Sequence, residues 1–145
     1  MISDALAETL ANDATVIAAL GTYEFTDGVP EPAIFTDEVI PEPCGYPAVI
    51  IDDAGGTPWG DRCKRGGATF CRVRIYGDKD RALDIVRDAA WAINRALDRT
   101  DLNSYLEGNF GYHAMLCQAD PPAYLPDPDG FPGYVVGVRV VVMEL

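Results

Sequence analysis

Between Gly67 and Arg99 the spacing of apolar residues changes from every second position to about every 3.6. In Ala68-Thr69-Phe70-Cys71-Arg72-Val73-Arg74-Ile75-Tyr76, one face carries Thr69, Cys71, Val73 and Ile75, and the other carries Arg72 and Arg74. Gly77 ends that strand, and Asp78 and Asp80 offer N-cap oxygens to a following helix. The helix would carry Ala82, Leu83, Ile85, Val86, Ala89, Ala90, Ile93 and Leu97 in one apolar stripe, with Trp91 at its border. Such a helix is stable only when its stripe covers something, and the adjacent sheet is the nearest partner.

Around this unit the chain reads in order. Ile2 to Leu20 forms a first helix, with a break expected at Asn12-Asp13 and a stop at Gly21. Thr22 to Pro32 is turn-rich, and Asp27-Gly28, Pro30 and Pro32 argue against regular structure there. Ile34 to Ile40 suits a short strand closed by Pro41 and Pro43. Tyr46 to Asp52 is a continuous apolar strand buried on both faces. Asp53 to Gly66 is a long loop, Asp101 to Gly108 a connection, and Phe110 to Gln118 a strand. Ala119 to Pro132 is a Pro/Asp loop. Tyr134 to Met143 is the strongest strand, with Val136, Val138, Val140 and Val142 on one face and Val135, Val141 and Met143 on the other. It should be central, or covered by another subunit. The expected fold is α+β: an antiparallel or mixed sheet of four to five strands, with two helices packed on one side. One domain is expected over residues 1–145.

Net charge is −12. An acidic surface of this size disfavours nucleic-acid phosphates and anionic membranes as partners, although solubility alone would also explain it. No apolar run is long enough to cross a bilayer as a helix. The N-terminus lacks a basic segment followed by an apolar core, so the chain is expected to work where it is made. Cys44, Cys63, Cys71 and Cys117 form no CxxC pair and read as free thiols, Cys71 and Cys117 as small buried hydrophobes.

Catalytic patterns are sparse. His113 reads as a packed or edge residue rather than a catalyst. His113 and Cys117 would share a strand face, with Cys71 nearby, but their spacing matches no compact zinc pattern. Ser3 and Ser104 lack a nucleophile-elbow context, and Gly55-Gly56 and Gly66-Gly67 lead into no phosphate loop. Pairs such as Asp52-Asp53 and Asp37-Glu38 read as solvated loop ends. No cofactor or metal is expected, and the chain is read as a non-enzyme.

Arg62, Lys64, Arg65, Arg72 and Arg74 hold five of the eleven Lys and Arg residues. They read either as a solvated strand face and loop or as a contact surface. In a ring of identical subunits each interface joins two different patches, and Asp37, Glu38 and Glu42 are acidic partners for a basic one.

Four segments in order resemble the tail-completion, or tail-terminator, proteins of long-tailed bacteriophages and gene transfer agents. They are an N-terminal helix followed by Tyr23 to Pro30; Tyr46-Pro47-Ala48-Val49-Ile50-Ile51; Arg72-Val73-Arg74-Ile75-Tyr76 running into an Ala/Ile-rich helix; and Asp127-Pro128-Asp129-Gly130 leading to a Val-rich strand. The resemblance implies a structural virion protein, assembled in the host cytoplasm. It would form a homohexameric ring on the head-proximal end of the tail tube and stop tube polymerisation. It would then join the tube to a neck stopper protein. DNA would slide through an acidic lumen without specific binding. Candidate subunit and tube contacts are Trp59, Arg62, Lys64, Arg65, Arg72, Arg74, Tyr124, Phe131, Arg139, Val141 and Met143. The alternatives are a head-side neck stopper or adaptor, and a small metal-binding or enzymatic domain around His113, Cys117 and Cys71.

Overall fold

The computed structural model describes residues 2–36, 39–60, 65–78, 83–125 and 130–145, with the backbone alone at 57–60. Asp37, Glu38, Arg62, Cys63, Lys64, Asp80, Ala82, and Asp127 through Asp129 lie outside the described residues, as does the Trp59 side chain.

The N-terminal helical segment is two helices, α1 (Ile2–Ala11) and α2 (Ala14–Ala19). Asp13 makes the break. Its carboxylate accepts from the backbone N–H groups of Thr15 and Val16, at 3.0 and 3.1 Å, and so caps α2 rather than continuing α1. Leu6, Leu10 and Val16 from the two helices are fully buried.

The turn-rich segment that follows is a hairpin, β1 (Thr22–Thr26) and β2 (Val29–Pro32), joined at Asp27-Gly28 with Gly28 at φ 79°. Asp27-Gly28, expected with the prolines to exclude regular structure, instead makes the tight turn of this hairpin. Pro30 and Pro32 stand two residues apart, so their missing N–H groups fall on the same side of an edge strand.

The main sheet has six strands among the described residues. In chain order they are β3 (Ile34–Phe35), β4 (Ala48–Gly60), β5 (Arg65–Tyr76), β6 (Tyr112–Ala119), β7 (Ala123–Tyr124) and β8 (Gly133–Glu144). The spatial order is β3-β4-β5-β8-β6, with β7 beside the start of β8. Only β3 runs parallel to its neighbour; the other pairings are antiparallel. β8 is an interior strand: Val138 pairs with Cys71 on one side and Ala119 on the other.

Three expected loops carry regular structure, the shortest piece being β7 inside the Ala119 to Pro132 loop. Asp53 to Gly66 has the composition of a loop, yet β4 runs to Gly60 and β5 begins at Arg65. Glycines mask the strand. Gly55 adopts φ 104° at a bulge after Asp53, and a Cβ on Gly56 would meet the Ala68 carbonyl oxygen at 2.5 Å. The connection after the long helix holds α4 (Asn103–Phe110). Its Asn, Ser and Gly content is weakly helical. Buried Leu102 and Leu106 and a left-handed Gly111, whose N–H reaches the Leu106 carbonyl, hold it in place.

α3 (Leu83–Leu97) buries Val86, Ala89, Ala90, Ala92, Ile93 and Leu97. Leu83 and Ile85, expected in its stripe, are exposed instead: Leu83 stands in the first turn and Ile85 lies about 100° round the helix from Val86. One apolar cluster joins all four helices to Val49, Ile51, Cys71, Val73, Ile75, Cys117, Val136, Val138, Val140 and Val142. The opposite sheet face is polar or half-open along Arg72, Phe70, Arg139, Val141 and Leu116. The fold is α+β; the described residues form four helices where two were expected, and sheets of six and two strands where one of four to five was expected.

Candidate assembly surfaces

The alternation that buries Val136, Val138, Val140 and Val142 sends Arg139, Val141 and Met143 to the other side of β8. β5 adds its own outward positions through register. Gly66 pairs with Met143, Ala68 with Val141, Phe70 with Arg139 and Arg72 with Gly137. β6 adds His113 opposite Met143, Leu116 opposite Val141 and Gln118 opposite Arg139. Five of the expected contact residues (Arg72, Arg74, Arg139, Val141 and Met143) are thus brought onto one sheet face.

That face has a charged half and an apolar half. In the charged half, Asp52 Oδ2 accepts from Arg72 Nη2 at 2.8 Å and lies 3.6 Å from Arg74 Nη2; Arg74 Nη1 also donates to the Tyr76 hydroxyl at 3.4 Å. Arg74 is largely enclosed, whereas Arg72 keeps half its side chain in solvent. Gly137 leaves a depression of about 280 Å³ between Phe70, Arg72, Asp120 and Arg139. In the apolar half, Phe70 is 43% exposed, Met115 57% and Leu116 39%, beside half-buried Val141 and Met143.

Phe70, Met115 and Leu116 were missed from sequence. Phe70 could have been found, because it shares its face with Arg72 and Arg74 by simple alternation. Met115 and Leu116 could not, because they depend on a bulge between Ala114 and Leu116 that one strand's sequence does not announce.

Other expected contact residues lie elsewhere. Tyr124 is exposed on β7, edge-on to Tyr134 at 6.0 Å. Phe131 stacks on Tyr46 at 6.3 Å. Both sit towards the start of β8, at the opposite end of the strand from Met143. Arg65 is exposed at the first residue of β5, where its backbone N–H donates to Glu144 Oε2 at 3.3 Å.

The bulge in β6 also dissolves the proposed metal constellation. It shifts parity, so His113 is exposed while Cys117 faces the core. His113 Nδ1 lies 2.7 Å from Glu107 Oε1. Cys117 Sγ donates to the Leu97 carbonyl at 3.3 Å, and Cys71 Sγ to Asp53 Oδ1 at 3.3 Å. No group of three or more His, Cys, Asp or Glu side chains suited to a metal exists among the described residues. Burial, then the Asp53 carboxylate, pushes the Cys71 thiol up to about 12. Burial, then Asp98, pushes Cys117 up to about 11. Both are protonated near neutrality and therefore poor nucleophiles.

No protein-family model matches the chain. No curated protein matches it either. Among solved structures, a chain from the virion of a native gene transfer agent particle superimposes with a TM-score of 0.65 at 16% identity, covering 98% of this chain and 94% of that one. The two chains share a fold over nearly their whole lengths.

Proposed function

We propose that this protein is a virion component, acting as one domain, that caps the head-proximal end of a tail tube as a ring of identical subunits. It ends tube polymerisation and joins the tail to the neck, and no reaction is part of that role. The observation that carries the reading is the end-to-end fold correspondence with a gene transfer agent virion chain. The uncovered sheet face supports it, because Phe70, Leu116, Val141 and Met143 form the kind of surface that a neighbouring subunit or tube covers. A net charge of −12 favours passage of DNA through such a ring without sticking.

Size-exclusion chromatography with light scattering, followed by negative-stain microscopy with tail tubes, tests this reading. A ring in solution or on one tube end supports it. A protein that stays monomeric and never binds a tube contradicts it. Binding to the portal side of the head instead would assign it to the neck as a stopper or adaptor.

A further inference from the structure

We propose that neighbouring copies join hairpin to sheet: the acidic tip of the β1–β2 hairpin of one copy seats on the open sheet face of the next, at Arg139. The proposal deepens the ring reading above and rests on it.

Charge is divided along this chain. No Lys or Arg precedes Arg62. From Arg62 onwards Asp and Glu equal the eleven Lys and Arg in number, so the whole net charge of −12 belongs to the residues before it. The β1–β2 hairpin lies in that acidic part and exposes Glu24, Asp27 and Glu31. Its turn is open, since a Cβ built on Gly28 would meet nothing within 4 Å. Glu24 Oε2 accepts from the Gly28 N–H at 3.5 Å, whereas the Asp27 carboxylate has no partner among the described residues. Phe25 and Val29 flank the turn and are 48% and 49% exposed. Phe25 is held in place, with ring centroids 5.0 Å from Tyr23 and 5.3 Å from Phe35.

The open sheet face offers the complement. Arg139 is exposed there, and its guanidinium has no ion pair among the described residues. It pairs with Phe70 on β5 and Gln118 on β6, one step from the Val141 and Leu116 pair, so an unneutralised cation borders the apolar half. A carboxylate that arrives with apolar neighbours of its own gives such a cation a charge-assisted hydrogen bond while covering the apolar surface around it. The depression at Gly137, about 280 Å³, gives the turn room between Arg72 and Arg139. Asp120 is the acid in its lining, and it turns the incoming carboxylate towards the two arginines.

A copy's own hairpin is on the wrong side of the sheet. Phe25 and Glu31 border a groove with Ala7 and Ala11 of α1 and Tyr105 of α4. Those helices pack on the sheet face that buries Val138 and Val140, opposite Arg139. The hairpin therefore reaches the sheet of another copy, and contact between two different patches is what a closed ring requires.

Two charge-reversed full-length variants, Asp27→Arg and Arg139→Glu, test the contact by light scattering in solution and by counting rings on tail tubes in negative stain. Circular dichroism checks that each is folded. Each alone should self-associate about tenfold more weakly than wild type. Asp27→Arg makes the chain less acidic, which by bulk repulsion alone would strengthen association, so weakening there reports the contact. The chain carrying both changes should recover. Asp88→Lys, on the exposed side of α3, should associate as wild type does. Single variants that associate as wild type does, a double variant that fails to recover, or equal weakening by Asp88→Lys would overturn the contact while leaving the ring intact. A wild-type protein that never associates, alone or on tubes, would overturn both.

Discussion

Cys71 and Cys117, which read in the sequence as small buried hydrophobes, are buried in the fold. Their thiols are nearly inaccessible and hydrogen-bonded, and both titrate well above the ordinary cysteine value. Alkylation by iodoacetamide at pH 7.5, followed by mass spectrometry, should label both far more slowly than in denaturant; equal rates would contradict their burial. A pH effect follows with a fixed sign. The folded thiol of Cys71 holds its proton up to about 12, against 9.0 for an unperturbed cysteine. Between those values the folded state binds more protons than the unfolded one, so stability falls as pH rises. Urea midpoints should therefore drop between about pH 9 and 12, and less steeply in Cys71→Ala. Gly56 makes a different residue-scale point. A side chain there would press on the Ala68 carbonyl of the paired strand, so Gly56→Ala should cost about 2 kcal/mol in urea denaturation.

At the scale of elements, legibility followed periodicity. The switch from strand to helix across residues 67–99 could be read because alternation and the helical stripe are both strong. β8 could be placed inside the sheet because Val135, Val141 and Met143 make its second face apolar. Elements whose logic is tertiary were missed. β4 beyond Asp53 reads as a loop because Gly55, Gly56 and Pro58 have low strand propensity, yet pairing with β5, itself paired with β8, carries the strand through. α4 is fixed by Leu102, Leu106 and Gly111 rather than by propensity. The break between α1 and α2 was anticipated at Asn12-Asp13, and the structure explains it through the Asp13 cap. Asp13→Ala should destabilise the protein by about 1 kcal/mol, measured by urea denaturation, whereas Asp13→Asn should be nearly neutral.

At the scale of the whole molecule, the two sheet faces are expected to separate folding from assembly. Ile93→Ala hollows the helix side and should cost about 3 kcal/mol of stability. Leu116→Ser and Phe70→Ser alter the open side, where a change of less than about 0.5 kcal/mol in folding is expected. Those two variants should instead weaken self-association or tube binding, read by light scattering and co-sedimentation. The candidate surface was only partly legible, because its charged residues follow strand alternation while Met115 and Leu116 depend on a bulge. The most direct test of the capping role is the length of tail tubes grown with increasing amounts of the purified protein, measured by electron microscopy. Tubes that stop short and carry a ring at one end are the expected result. Tubes of unchanged length with bare ends would contradict it.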